Sequence, residues 1–138
     1  MIVRYLLKSM HRDQQGTTAV EFAIVAPVFI ALVIGAIALC ICLFLVGSLH
    51  YAVEEGARCA SVKAACADAS GNPDAIATVA YAQSHYFGPA VSPTFTYTYD
   101  ATAGACGNKV SGSINYSMNV GFKTFVVPIS ATACFPKN

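Results

Sequence analysis

From Phe22 to Leu49 the chain runs for 28 residues without a charge. As a helix rising about 1.5 Å per residue, that run reaches roughly 42 Å. The hydrocarbon core of a bilayer needs about 20 residues. A cleavable secretory signal has an apolar stretch of about 7–15 residues, well short of this one. A soluble core helix of such length would need a far larger protein around it than 138 residues. The run therefore reads as a membrane-spanning helix. Only 11% of the residues are charged, against about 25% in ordinary soluble domains. The net charge of +1 offers no basic face for nucleic acid.

The flanks orient the span. Arg4, Lys8 and Arg12 precede it, opposed by Asp13, and Glu54 and Glu55 follow it. Basic residues stay on the cytoplasmic side, so the N-terminus is expected inside and residues beyond about 50 outside. Glu21 stands at the cytoplasmic edge, where a carboxylate is costly and is usually retained for a function. Pro27 removes a backbone donor and is expected to kink the helix near Ala23. Ala19, Ala23, Pro27, Ala31 and Gly35 recur every four positions, a stripe that lets a second helix approach closely.

The most informative string is Gly16-Thr17-Thr18-Ala19-Val20-Glu21-Phe22. A glycine ends a short basic leader, a glutamate stands five residues later, and the apolar helix follows at once. This resembles the processing site of type IV pilin-like proteins. More narrowly, the arrangement resembles the TadE-like family, the minor pilins or pseudopilins of tight-adherence (Flp-type) pilus systems. Arg12, Gly16, the string Ala19-Val20-Glu21-Phe22-Ala23 and Pro27 carry the likeness. Glu54-Glu55-Gly56-Ala57-Arg58 resembles the family's second short motif. The likeness covers residues 12–60 and is looser beyond.

The resemblance implies cleavage after Gly16 by a prepilin peptidase, with Thr17 as the mature N-terminus. It implies that Glu21, with Phe22 beside it, serves assembly, its carboxylate meeting the freed amino group of this or a neighbouring subunit. In a low-dielectric setting such a pair outweighs any surface pair. The implied partners are the peptidase, other major and minor pilins, the inner-membrane assembly machinery and the lipid bilayer. The implied roles are pilus biogenesis, attachment and biofilm formation. The alternative is an uncleaved single-span inner-membrane protein with a periplasmic binding or scaffolding domain. No cofactor is implied.

Past the membrane the helix is expected to continue to about Cys66–Ala69, with Glu54 and Arg58 paired four residues apart. Ser70-Gly71-Asn72-Pro73 is a break. A second helix should start with Asn72 as cap and Pro73 in its first turn, and Ile76, Val79, Ala80 and Phe87 should line one side. Gly88-Pro89 should close it.

Three strands follow by alternation: Thr94–Tyr99, then Val110–Val120, then Phe125–Phe135. In the second, Val110, Ile114, Tyr116, Met118 and Val120 share a face. In the third, Ile129, Ala131 and Ala133 alternate, and Pro128 marks an edge or a strand start. Tyr97, Tyr99 and Tyr116 fit the core face of this sheet better than an exposed aromatic surface.

The expected architecture is α+β: a leader over 1–16, a transmembrane helix over 17–50, its exported continuation over 51–69, and a small head over 70–138. The head carries the second helix and about three antiparallel strands packed on the outer half of the long helix.

So small a core is marginal without staples. Cys59, Cys66, Cys106 and Cys134 lie on the exported side, where an even count reads as two disulfides; free buried thiols are the other reading. On a continuous helix Cys59 and Cys66 would stand about 10.5 Å apart, too far to bridge. Each is therefore expected to join Cys106 or Cys134, as Cys66–Cys106 with Cys59–Cys134.

Other chemistry is thin. Cys40 and Cys42 point to nearly opposite sides of the helix and read as small packing residues. His50 reads as an interfacial polar residue. Ser84 and His85 are adjacent and face apart. No acid–base–nucleophile set, phosphate loop or metal-ligand spacing is visible, so no enzymatic activity is expected.

Overall fold

The computed structural model describes residues 15–89, 92–100, 102, 106–119 and 123–136. The basic residues of the leader and Val120 lie outside them. The chain divides into two units between Leu39 and Cys40.

Helix α1 spans Gln15–Val62, 48 residues, and continues through Pro27. Residues 18–39 are exposed throughout, apart from half-buried Ala26 and Ala38. Only 6% of the most apolar window is buried, so this is a helix long and apolar enough to cross a membrane and not a covered core helix.

In the second unit the burial pattern of α1 changes. Leu45, Leu49, Ala52, Val53, Ala57 and Ala60 are buried, at the three- and four-residue spacing that defines one helix face. Burying side chains the size of Leu45, Leu49 and Val53 contributes roughly 1.5–3 kcal/mol each. They form one cluster with Ala82, Phe95, Val110, Ile114, Ile129 and Ala131.

Helix α1 ends at Val62, short of the 66–69 expected. Lys63 is extended (φ −106°, ψ 129°), and a single 3-10 turn, Ala64–Cys66, follows. Asp68 then closes a loop. Its carboxylate accepts from the N–H groups of Ser70 and Asn72, both at 2.8 Å, and its own N–H donates to the Asn72 carbonyl. Gly71 sits at φ 79°, a left-handed conformation that glycine adopts without steric cost.

With Asn72 used in that loop, the cap of the second helix moves on. Helix α2 spans Ala75–Ser84, capped by Asp74, whose side chain accepts from the Ile76 N–H at 2.8 Å. Its buried residues are Thr78 and Ala82, with Val79 half-buried. Ile76 is 81% exposed and Phe87 64%, so the expected Ile76–Ala80–Phe87 lining does not form. The reason is Gly56. A Cβ there would lie 2.9 Å from the Ala82 Cβ, so α2 approaches α1 through its smallest face.

Strands β1 (Thr94–Asp100), β2 (Gly107–Asn119) and β3 (Thr124–Phe135) form an antiparallel sheet in the order β1-β2-β3. Phe95, Gly112 and Ala131 are in register across it, as are Ile114 with Ile129 and Tyr116 with Val127. Pro128 lies within edge strand β3, where its missing donor is tolerated. The sheet packs on α1 closely at Gly112, whose added Cβ would meet Leu49 Cδ1 at 2.9 Å and Phe95 Cε1 at 2.8 Å.

Candidate functional site

Gly16 and Thr17 lie within helix α1. Positions 17 and 21 are one turn apart on one face. Glu21 is exposed, and Phe22 is 73% exposed. The stripe of Ala19, Ala23, Pro27, Ala31 and Gly35 is exposed along its whole length. This end of the chain offers a carboxylate, a flat small-residue row and an uncovered apolar cylinder.

Polar interactions concentrate at the other end of α1. Lys63 Nζ donates to Glu55 Oε2 at 2.8 Å and to the Tyr81 hydroxyl at 2.6 Å, and stands 4.6 Å from the centre of the Tyr81 ring. Tyr81 stacks on His85 at 4.2 Å between centroids. The hydrogen bond from Lys63 holds the Glu55 carboxyl below the usual carboxylate range. The same bond, and that to Tyr81, raise the lysine. Arg58 reaches Glu55 at 3.8 Å, so the helical pair is three residues apart and uses Glu55 in place of the expected Glu54. Lys63 is the residue sequence spacing misses: it meets Glu55 only because the helix stops at Val62 and the chain turns.

The same turn decides the disulfides. Cys59 bonds Cys66, with 5.6 Å between their Cα atoms, because the helix ends between them and the straight-helix separation never arises. Cys106 bonds Cys134, with Cα atoms 5.4 Å apart. The four cysteines are all used, but the Cys66–Cys106 and Cys59–Cys134 pairing is replaced. Cys40 and Cys42 are free, the first exposed and the second half-buried.

Between the disulfides, Asn108 is fully buried. It accepts from the Tyr97 hydroxyl at 2.6 Å and donates to Ser61 Oγ at 3.0 Å, tying β1 and β2 to the end of α1. Burial, reinforced by neighbouring Tyr99, raises the Tyr97 phenol. Tyr97 and Tyr116 are half-buried against the core, as the alternation predicts, whereas Tyr99 is 47% exposed.

Ser84 and His85 do touch: Ser84 Oγ lies 3.1 Å from His85 Nδ1, contrary to the expectation that they face apart. Both also meet the Tyr81 carbonyl, Ser84 Oγ at 2.7 Å and His85 Nδ1 at 2.9 Å. A carbonyl only accepts, so Nδ1 carries its proton toward it and is not a base for the serine. His50 is exposed. Among the described residues no group of three or more His, Cys, Asp or Glu could hold a metal ion.

The features around Gly16 and Glu55 coincide with the limits of a known family. Residues 16–58 match the family model described as TadE-like protein. No curated protein and no solved structure matches the chain. From the junction glycine through Arg58, the chain is similar to TadE-like proteins.

Proposed function

We propose that the chain is a membrane-anchored minor pilin or pseudopilin that helps assemble a tight-adherence pilus. The observation that carries this reading is an uncovered apolar helix, 6% buried in its most apolar window, in the segment where the TadE-like match begins at Gly16. A prepilin peptidase cuts after Gly16 and frees the amine of Thr17. The leader stays cytoplasmic, α1 crosses the inner membrane and the head lies on the periplasmic side. In lipid, Glu21 costs several kcal/mol unpaired. A cationic N-terminus from this or a neighbouring subunit removes that cost, so docking of subunits is coupled to removal of the leader. The exposed row from Ala19 to Gly35 supports close helix–helix approach once the charge is matched.

N-terminal sequencing of the membrane-extracted protein should read Thr17 first. Glu21→Ala should insert and be cleaved normally yet fail to support piliation. A retained leader, or normal pili from the alanine variant, would refute the reading.

A further inference from the structure

The end of α1 is held in a conformation that its own sequence does not favour. Four of the seven residues Lys63–Ala69 are alanine, the strongest helix former. A helix already formed gains a hydrogen bond for each further residue it fixes, so local preference carries α1 on toward Ser70-Gly71. It stops at Val62 instead. Lys63 is extended and not left-handed, so the stop is not the usual glycine-type cap. Ala64 and Ala65 are exposed, and the buried residue of the 3-10 turn is Cys66.

What holds the turn is the covalent bond from Cys66 to Cys59, whose Cα atoms stand 5.6 Å apart. On a helix continued through residue 66 they would stand about 10.5 Å apart along the axis, beyond the reach of a disulfide. Bridge and continued helix therefore exclude each other, and residues 63–67 have two discrete arrangements. The bridged one carries two further contacts with it. Lys63 reaches Glu55 at 2.8 Å and Tyr81 at 2.6 Å, whereas a continued helix would put it about 12 Å past Glu55 along the axis. The Cys66 carbonyl accepts from the N–H of Asp74 at 2.8 Å, and Asp74 caps α2. Both contacts tie α2 to the end of α1, so α2 senses which arrangement the turn adopts.

We propose that the Cys59–Cys66 disulfide is a redox latch on the end of α1. Oxidised, it stops the helix at Val62 and docks α2 through Lys63 and Asp74. Reduced, it lets α1 extend through Lys63–Ala67, and Lys63 leaves Glu55 and Tyr81. The reaction is thiol–disulfide exchange with a dithiol. One thiolate attacks a sulfur of the bridge and forms a mixed disulfide. The second thiolate then displaces the protein sulfur, and the dithiol leaves as a cyclic disulfide, its two electrons and two protons now on Cys59 and Cys66. Both cysteines are fully buried, so exchange proceeds from the locally opened turn. The α1–α2 junction is complete only where thiols are oxidised. The residues concerned all lie in the second unit, and the latch does not depend on the function proposed above.

Backbone Cα chemical shifts of the full chain in detergent micelles read the turn residue by residue. Three states are compared: the oxidised wild type, the Cys59→Ser/Cys66→Ser variant, which keeps the Cys106–Cys134 bridge, and the wild type reduced with dithiothreitol. Serine and cysteine have about equal helix propensity, so the substitution itself does not favour extension. In the oxidised chain Lys63 and Ala67 should show the upfield Cα shifts of extended backbone. In the other two states Lys63–Ala67 should move downfield to helical values while β2 and β3 keep their strand shifts, and reoxidation should restore the first pattern. A Lys63 that stays extended without the bridge overturns the proposal, since the non-covalent contacts then suffice. Coil values over 63–67 overturn it too, because the turn then melts without lengthening α1. Loss of the strand shifts in both bridge-free states makes the bridge a staple of the whole head and overturns the latch; loss in one of them leaves the decision to the other.

Discussion

Gly56 sets how closely α2 rests on α1, and replacing it with alanine measures that contact. In an open helix position Gly→Ala stabilises by about 0.8–1 kcal/mol. Gly47, on the same helix and with nothing within 4 Å of an added Cβ, is such a position. At Gly56 the new Cβ would stand 2.9 Å from the Ala82 Cβ and 3.6 Å from its Cα, where carbon atoms rest at about 3.5–4.0 Å. Neither partner has a rotamer to change, so α2 must shift as a body. Overpacking of this kind costs about 1–3 kcal/mol. Gly47→Ala should therefore gain up to about 1 kcal/mol, and Gly56→Ala should fall below it by roughly 1–3 kcal/mol, the helix-propensity gain cancelling between them. Urea unfolding of the full chain in detergent, followed by tyrosine near-ultraviolet circular dichroism, reads both. Ala82→Gly removes the opposing Cβ, so the double variant should be more stable than the two single effects sum to. Gly56→Ala matching Gly47→Ala, or strict additivity with Ala82→Gly, would refute the packing argument.

Three further outcomes follow from the head. Lys63→Met should lower stability at neutral pH by about 0.2–1 kcal/mol, the range for exposed pairs. Glu55 is depressed and Lys63 raised, so the wild-type advantage should vanish as pH falls through the Glu55 pKa and again as it rises through that of Lys63; an advantage unchanged in acid would show that the pair is not its source. A non-reducing digest should yield Cys59–Cys66 and Cys106–Cys134 peptides. The Cys106–Cys134 bridge, across 28 residues, should contribute about 3.6 kcal/mol by loop entropy, against about 2.4 kcal/mol for the shorter one. A fragment of residues 40–138 should show dispersed amide resonances and a cooperative transition, whereas 70–138 should not, since it lacks Leu45, Leu49, Val53 and Ala57 of the core; a cooperative 70–138 fragment would refute that dependence.

The sequence revealed what has a period or a long run. The apolar helix, the three alternating strands and the inward-facing Val110, Ile114, Ile129 and Ala131 were all legible, because side-chain direction follows from backbone geometry alone. Several of the local departures share one origin, the end of α1. Nothing in Ser61-Val62-Lys63-Ala64 marks a stop. The chain leaves the helix there because Lys63 finds Glu55 and Tyr81, the latter 18 residues on, and Cys66 finds Cys59. Those are tertiary contacts, which propensity does not contain. The disulfide pairing, the Glu55 ion pair and the displaced cap at Asp74 follow from that single turn. Gly56 was readable as a small residue, though not as the seat of Ala82.

The boundary between lipid and head is illegible for a different reason. An apolar side chain is satisfied equally by hydrocarbon and by a protein core, so Leu45 and Leu49 read the same as Ile24 or Leu32. The distinction lies in which faces are apolar. From Ala52 to Ala60 only one stripe of α1 is buried, and Glu54 and Arg58 occupy the other sides, the pattern of a helix with water at its back. From Phe22 to Phe44 every side is apolar. Between them, over Leu45–Leu49, α1 is covered by the head on one face while Val46 remains 36% exposed on another. That one turn of helix is thus covered by protein on one face and uncovered on another. Helix α1 also supplies the floor on which the sheet is built.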